Sequence, residues 1–399
     1  MNDVTQVGRA CEKFMVEQND LSGKTLFVSP HKSIIGKGVA AQLKVSSSAV
    51  NAAFVTEMLS QVEQGGGRRM LFAALPFDSN AKAYIQVPEQ VMVLASPAAD
   101  FAFDLVLPVK VDSVVSIPSE ECYKSMVGHA LDAIDAKSLN KVVLSRSLQI
   151  SAQINVSNLI KQLLSSHAQG YKFAFHHEDS EGAMATLVGA SPELLLSKNG
   201  VSVTSNPLAG SIPRCVDPEE DRRRAQNLLR STKDLYEHEL VVRSVAAALA
   251  PFCTQLSVPS RPSLLSTPTM WHLSTVVEGT LHDASTSSLS LAQALHPTPA
   301  VCGYPAEAAR TFIQQHEGFD RNLFTGLVGW EDEFGDGEWA VTIRCSQVTD
   351  DKVTVYAGAG VVSGSEPERE LRETQAKMRT MLNAMGLNEI LEYSEEAYV

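Results

Sequence analysis

Short segments of the chain in which apolar positions alternate with polar ones, or run together, predict β-strands. These segments are "RRMLFAALPF", "AYIQVPEQVMV", "KVVLSRSLQI", "YKFAFHH", "MWHLSTVVEGTL", "LFTGLVGWEDE", "EWAVTIRCSQVT" and "KVTVYAGAGVV". Asn199 and Gly200 separate two further strand-like runs. Because Asn-Gly is a favoured hairpin turn, a hairpin is predicted there.

Apolar residues at helical spacing predict several helices between the strands. They cover "IPSEECYKSMVGHALDAIDAKSL", residues near 154–167, residues around 306–317, and a last helix from about Pro367 to Met385. "VDPEEDRRRAQNLLRSTKDLYEHELVVRSVAAALAPF" predicts one long helix, straight or kinked. At its start Asp217 is the predicted N-cap, Pro218 suits the first helical position and Glu220 completes a capping box. Pro251 ends the predicted helix.

Strands dominate this pattern, and many of them are joined as hairpins. The regular βαβ alternation of a doubly wound parallel sheet is missing. The sequence therefore predicts an α+β fold, with antiparallel sheets that carry helices on their outer faces.

Composition excludes some classes of function. The chain has 399 residues and a formal net charge of −13. General nucleic-acid binding is disfavoured, because such proteins usually carry a basic footprint. An anionic substrate would need a local cationic group that acts against the net field of the protein.

Cysteine spacing and apolar run length indicate a soluble cytoplasmic protein. No pair has C-x-x-C spacing, which favours reduced thiols over disulfides or a zinc site. Residues 1–20 lack the apolar core of a signal peptide, and no apolar run approaches the roughly 20 residues of a membrane helix. The cysteines are Cys11, Cys122, Cys215, Cys253, Cys302 and Cys345.

Two predicted helices each carry a pair of acidic residues on one face. Glu370 and Glu373 are three positions apart on the last helix, and Asp234 and Glu237 are three apart on the middle helix. Together they would form an all-oxygen site of the kind that suits Mg²⁺. The alternative is a solvated face, since Glu373 and Lys377 also form an i, i+4 pair.

Lys141 and Glu193 stand next to apolar runs, where burial would change their chemistry. Lys141 opens the strand "KVVLSR" and is either an edge charge in water or, if turned inward, a general base. Glu193 in "GASPELLL" is either structural or a buried general acid. The loop "HPTPAVCGYP" is either a surface turn or a rigid wall against a flat ligand, where the size of Ala300 would matter.

Nine motifs along the chain, in their sequence and their order, closely resemble those of the chorismate-utilising enzymes, which include anthranilate, aminodeoxychorismate, salicylate and isochorismate synthases. Within that family the resemblance is strongest to isochorismate synthases of catecholate-siderophore pathways. The motifs are "KVVLSR", "GASPELLL", "NPLAGS", "KDLYEHELVV", "HPTPAVCGYP", "GLVGW", "TIRC", "YAGAG" and "SEPERELRETQAK".

The resemblance implies one large α+β domain over residues 1–399, in which two similar halves stack their antiparallel sheets with helices outside. Residues 1–118 form a less informative N-terminal part, and residues 119–390 form the catalytic core. The implied cofactor is Mg²⁺. Glu237 and Glu373 would ligate it directly, and Asp234 and Glu370 would hold its waters or lie close by.

The resemblance also implies a substrate, chorismate, and a site for it. Arg344, Lys377 and the amides of Gly358 and Gly360 would bind the enolpyruvyl carboxylate. The other implied pocket residues are Gly210, His272, Ala300, Phe324 and Ile343.

In the implied reaction Lys141 removes a proton from a water that attacks C2, while Glu193 protonates the departing C4 hydroxyl. The product is isochorismate, made for 2,3-dihydroxybenzoate and a siderophore. Lys141 separates this chain from anthranilate synthases. The apolar residues Ala300 and Phe324 argue against a salicylate synthase, which goes on to eliminate pyruvate.

Three alternatives stay open: a salicylate synthase, an isochorismate synthase of the menaquinone pathway, and a catalytically inactive relative that acts by interaction. The presence of all the expected catalytic residues disfavours the inactive relative. We expect a monomer with no membrane partner, and a weak contact with a downstream isochorismatase.

Overall fold

The computed structural model describes residues 23–65, 67–95, 109–166, 169–179 and 182–391. Residues 1–20, which bear on the predicted absence of a signal peptide, and Cys11 lie outside this part. Within it the other five cysteines are not paired with one another. No helix in these ranges is long and apolar enough to cross a membrane.

Within the described residues ten strands form the first sheet, and every pairing between them is antiparallel. Numbered in chain order, its strands are β1 Lys24–Val28, β2 Lys32–Lys37, β6 Gln90–Ala95, β7 Ser113–Ile117, β8 Lys141–Ser151, β9 Tyr171–Glu178, β10 Met184–Ser191, β18 Gly303–Tyr304, β21 Cys345–Val348 and β22 Lys352–Val362.

Nine described strands form a second antiparallel sheet, and three more form a small third sheet that the sequence did not predict. The second sheet contains β3 Ala41–Ser46, β4 Met70–Leu75, β5 Lys82–Val87, β11 Leu194–Asn199, β12 Ser202–Asn206, β14 Cys253–Ser257, β17 Val277–Leu281, β19 Leu327–Asp332 and β20 Gly337–Val341. The third contains β13 Leu208–Pro213, β15 Ser263–Ser266 and β16 Met270–Ser274.

The α-helices of the described ranges are α1 Ala52–Gln61, α2 Glu120–Asp135, α3 Val156–Ser166, α4 Pro218–Leu228, α5 Thr232–Leu249, α6 Ser288–Leu295, α7 Ala306–His316 and α8 Pro367–Met385.

The two large sheets stack through an aromatic-rich layer, to which Phe27 and Phe173 contribute from the first sheet and Phe72 and Trp330 from the second. Helices cover the opposite faces. α3 and α8 pack on the first sheet in one cluster, and α2 and α7 pack on it in another. α1, α5 and α6 pack on the second sheet. The predicted α+β class, with antiparallel sheets and outer helices, is confirmed.

The N-terminal part contributes strands to both large sheets. β1, β2 and β6 extend the first sheet, and β3, β4 and β5 extend the second. The described residues of this part, 23–65, 67–95 and 109–118, therefore do not form a separate layer. The assignment of the whole chain to one domain remains a prediction.

The predicted single long helix is wrong, because the structure has two helices, α4 and α5. The side chain of Ser231 accepts a hydrogen bond from the amide of Asp234, so it caps a new helix and ends the pattern that began at Asp217. Asp217 and Pro218 begin α4 as predicted. Glu220 pairs with Arg224 (3.0 Å) rather than completing a capping box.

The hairpin predicted at Asn199-Gly200 is confirmed, with its turn one residue later. Asn199 pairs with Ser202, so Gly200 and Val201 make the turn. Gly200 has φ of +59°, which glycine adopts without steric cost.

Candidate active site

A cleft lies where the chain passes between the sheets. Glu193 lies where the chain passes from β10 of the first sheet to β11 of the second. Arg344 lies where it passes back, from β20 of the second sheet to β21 of the first. The sequence-predicted residues on its wall are Glu193, Gly210, Glu237, His272, Ala300, Phe324, Ile343, Arg344, Gly358, Gly360, Glu373 and Lys377.

Lys141 is turned inward and is fully buried, so the edge-charge alternative is wrong. It is the first residue of β8, which pairs with β18 on one side and β22 on the other. Its Nζ lies 2.9 Å from Oε1 of Glu237 on α5. No other ion pair or hydrogen bond of this ammonium group is found within the described residues. Because an ammonium group has three N–H donors, Lys141 has further donors available for a ligand or water.

Glu193 is also buried, and burial raises the pKa of its carboxyl to about 7. The amide of Leu208 and the charges of Lys141, Lys377 and Arg344 act in the opposite direction. A carboxyl with such a pKa is partly protonated near neutral pH, as a general acid must be.

The four acidic residues of the predicted metal site, Asp234, Glu237, Glu370 and Glu373, are called the acidic cluster below. Lysines contact all four of them in this structure. Besides the pair between Lys141 and Glu237, Lys377 Nζ lies 2.7 Å from Glu373 Oε1. Lys233 Nζ donates a hydrogen bond of 3.1 Å to Glu370 Oε1.

Burial raises the pKa of the carboxyl groups in this cluster, and the charges of the lysines lower it to different degrees. Burial, followed by the charge of Glu373, raises the pKa of Glu370 to about 7, and burial raises the pKa of Asp234. Burial acts on Glu237 in the same direction, but the charges of Lys141 and Lys233 outweigh it and lower its pKa.

The acidic cluster is not assembled as a set of three ligands. No group of three or more His, Cys, Asp or Glu side chains within the described ranges is placed to hold a metal ion. However, Oε2 of the buried Glu370 has no hydrogen-bond partner, and oxygen-only donors match Mg²⁺ chemistry. The donor set therefore fits a hard cation that binds two carboxylates and keeps waters.

A buried guanidinium group on the cleft wall fits a carboxylate. One nitrogen of Arg344, Nη1, has no hydrogen-bond partner, while Nη2 lies 3.3 Å from Nε2 of His272. Burial, followed by the charge of Arg344, holds the pKa of His272 well below its ordinary value. Because arginine only donates, Nε2 of this neutral histidine accepts and Nδ1 donates to Ser211 Oγ (2.8 Å).

Glycines are needed where the backbone approaches these side chains. A Cβ at Gly360 would stand about 2 Å from Oε1 of Glu237 and 3.0 Å from Cε of Lys141. A Cβ at Gly358 would stand 2.6 Å from Ser145 Oγ. Gly210 has φ of +77° and lies against Asp234. The glycines of "YAGAG" and "NPLAGS" thus leave space for the base and the acidic cluster.

An apolar wall closes one side of the cleft. Phe324 and Tyr356 stack with ring centroids 5.0 Å apart and planes at 13°. The loop 296–305 passes nearby, and Ala300 and Val301 line the cleft. The wall and the loop together suit a flat ring, so the plain surface turn is disfavoured.

The loop and the base strand are held by the same buried ion pair. Arg321 pairs with Glu317, and it donates to the carbonyl oxygens of Val301 (2.7 Å) and Val143 (2.8 Å). Glu317 accepts from the amide of Ser145 (2.7 Å). This network fixes the strand that begins at Lys141 relative to the loop.

Sequence reasoning missed Arg321, Tyr356, Ser211 and Lys233. Tyr356 opens the motif "YAGAG", and Lys233 directly precedes Asp234, so each had a local signal. Ser211 ends the motif "NPLAGS" and had one as well. Arg321 had none, since its role depends on contacts between distant segments.

Comparison with known proteins agrees with this geometry. The profile of the family described as "Chorismate binding enzyme" matches residues 47–386. The chain belongs to this family.

Individual chorismate binding enzymes are similar to this chain over most of its length. The isochorismate synthase DhbC of Bacillus subtilis is 45% identical over 378 residues, which cover 92% of this chain and 95% of the relative. The vibriobactin-specific isochorismate synthase of Vibrio cholerae is 41% identical over 374 residues, covering 92% of each.

A solved structure supports the same fold. A putative 2,3-dihydroxybenzoate-specific isochorismate synthase, DhbC from Bacillus anthracis, is 44% identical, with a TM-score of 0.87. The match covers 94% of this chain and 100% of that one. The α+β fold expected from the motifs is thus the fold of a similar chorismate binding enzyme.

Proposed function

We propose that this protein is an isochorismate synthase, an isomerase that converts chorismate to isochorismate for 2,3-dihydroxybenzoate and siderophore biosynthesis. The observation that carries the proposal concerns a candidate acid and a candidate base, both buried. Glu193 lines the cleft, and Lys141 lies directly behind its wall, in contact with the lining residue Glu237. The acid and the base are close enough for the charge of Lys141 to act on the pKa of Glu193. The similarity to DhbC and to the vibriobactin-specific enzyme supports the product and the pathway.

Arg344 and Lys377 would hold the enolpyruvyl carboxylate of chorismate. The unpartnered Nη1 of Arg344 can donate to a carboxylate oxygen, and charge-assisted hydrogen bonds of this kind are strong. Lys377 also donates to the carbonyl of Gly358 (2.8 Å), which places its ammonium beside the glycine strand. These two cations are the local positive groups that a chain with a net charge of −13 requires.

Glu237 and Glu373 would hold Mg²⁺ directly, with Asp234 and Glu370 on its waters. When bound there, Mg²⁺ would polarise the ring carboxylate of chorismate. Because Glu237 and Glu373 line the cleft and would otherwise repel a dianion, the cation makes the acidic cluster compatible with the substrate.

The remaining chemistry belongs to Lys141 and Glu193. Lys141 as a neutral amine takes a proton from water, whose oxygen bonds to C2. The two ring double bonds shift, and the bond between C4 and its hydroxyl breaks. Glu193 protonates that hydroxyl, which leaves as water. One water enters and one leaves, so substrate and product are isomers.

A salicylate synthase would use the same first step and then eliminate pyruvate. Ala300 and Phe324 line the cleft with apolar surface, which favours release of isochorismate. A menaquinone-pathway enzyme would make the same product, so the pathway rests on similarity alone. The cytoplasmic location and the monomeric state also remain proposals, as does a contact with isochorismatase.

The test is to incubate the purified protein with chorismate, with and without Mg²⁺, and to identify products by chromatography and mass spectrometry. We expect isochorismate with Mg²⁺ and none after chelation. Salicylate and pyruvate as main products would overturn the proposal in favour of the lyase.

A further inference from the structure

Lys233 reaches from the protein surface into the acidic cluster. Its Nζ lies 3.1 Å from Oε1 of Glu370 and 3.7 Å from Oδ1 of Asp234. The side chain of Lys233 is 28% exposed, whereas that of Glu370 is 2% exposed. A cation with a route to water therefore contacts a carboxylate that has almost none.

Glu370 is only half satisfied by this contact. Its second oxygen, Oε2, is buried and has no hydrogen-bond partner within the described residues. An unpaired buried carboxylate oxygen is costly. Lys233 donates to Oε1 and leaves Oε2 without a partner in the described part of the chain. A hydrated divalent cation would provide a partner for Oε2.

We propose that Lys233 is the internal counter-ion of the metal-free acidic cluster, and that Mg²⁺ displaces its ammonium group from Glu370. This inference rests on the proposed function, because it needs the acidic cluster to be the metal site. Lys233 then sets the affinity for Mg²⁺ by competing for the same carboxylate.

Electrostatics favour exchange over joint occupancy. An ammonium group beside Glu370 would lie within a few ångströms of a divalent ion on the same cluster, and like charges at that distance repel strongly in a partly buried site. Lysine has a long flexible stem, so its charged end can move to water while the stem stays packed. The partial exposure of Lys233 provides that route.

The contact could instead serve only to stabilise the fold, and a matched lysine separates the two roles. Lys124 is equally exposed, at 28%, and contacts Glu368 on the same helix α8 at 3.6 Å. Glu368 lies outside the acidic cluster and is largely exposed. Lys124→Gln therefore removes a lysine charge that contacts the same helix α8, without touching the acidic cluster.

The experiment measures the Kd of Mg²⁺ alone by isothermal titration calorimetry for the wild type, Lys233→Gln, Lys233→Arg and Lys124→Gln. We expect Lys233→Gln to bind Mg²⁺ about tenfold more tightly, or about 1.4 kcal/mol. Lys233→Arg keeps the charge and should stay close to the wild type, as should Lys124→Gln. The melting temperature of metal-free Lys233→Gln should fall, and Mg²⁺ should raise it more than in the wild type.

The outcomes separate this inference from the proposed function. A wild type that binds no Mg²⁺ contradicts the metal site itself. A wild type that binds Mg²⁺, with Lys233→Gln equal to Lys124→Gln or weaker than it, overturns only the role of Lys233.

A measurement on the wild type covers the case in which Lys233→Gln does not fold. Amine acetylation followed by mass spectrometry should show that Lys233 reacts faster when Mg²⁺ is bound, while Lys124 reacts at an unchanged rate. An equal rate for Lys233 with and without bound Mg²⁺ would contradict the displacement.

Discussion

Nζ of Lys141 lies 2.9 Å from Oε1 of Glu237, and both side chains are buried. Lys141 begins β8, the second strand from one end of the first sheet, and Glu237 lies on helix α5, so the contact joins two distant segments. One residue is the proposed base, and the other is a proposed metal ligand. Base and metal site thus share a contact, and a ligand that engages Glu237 also changes the surroundings of Lys141.

Glu193→Gln should lose turnover by about 10²–10⁴-fold, because an amide cannot donate the proton that the C4 hydroxyl needs. In the wild type, kcat should fall as pH rises through about 7, since the carboxyl must be protonated and its pKa is raised to about 7. A pH series of initial rates checks this. Activity that rises across that range would contradict the acid role.

Glu373→Ala should weaken Mg²⁺ binding by at least about tenfold, or about 1.4 kcal/mol, because it removes a direct ligand. Glu368→Ala on the same helix removes an exposed carboxylate, so it serves as the control. Calorimetric titration of both variants gives the comparison. An unchanged Mg²⁺ affinity in Glu373→Ala would remove this residue from the metal site.

Arg344→Lys should raise the KM for chorismate about tenfold or more, because an ammonium cannot reproduce the paired donors of a guanidinium. Arg372→Lys, on the exposed face of α8, is the matched control and should leave KM unchanged. Steady-state kinetics and a melting curve for each variant separate binding from stability. Equal KM values for the two variants would argue against carboxylate binding by Arg344.

Ala300→Thr should introduce some lyase side activity, because it adds a hydroxyl to a cleft wall that is now apolar. The amount of salicylate relative to isochorismate, measured by chromatography, is the readout. If no salicylate forms while isochorismate formation persists, the loop 296–305 does not control product choice.

Much of the fold could be predicted from the sequence, because period-two runs and helical spacing are local signals. The break between α4 and α5 was missed, since Ser231 caps the second helix within an otherwise continuous helical pattern. The third sheet was also missed, because its strand β15 is only four residues long and two of them are exposed.

The candidate site was predictable as a set of residues but not as a set of contacts. The motifs named Lys141 and Glu237, yet their contact depends on how α5 packs across the glycines of β22. Lys233 and Arg321 were missed for the same reason, since each acts on a segment far from it in the chain.

The most direct test of the account follows the oxygen of water through the reaction. Chorismate is converted with Mg²⁺ in ¹⁸O-labelled water by the wild type and by Lys141→Ala, and the products are analysed by mass spectrometry. We predict isochorismate with one labelled oxygen at C2 from the wild type, and no product from Lys141→Ala, which should still bind Mg²⁺. Unlabelled isochorismate, or labelled product from Lys141→Ala at the wild-type rate, would contradict water addition by Lys141 and Glu193.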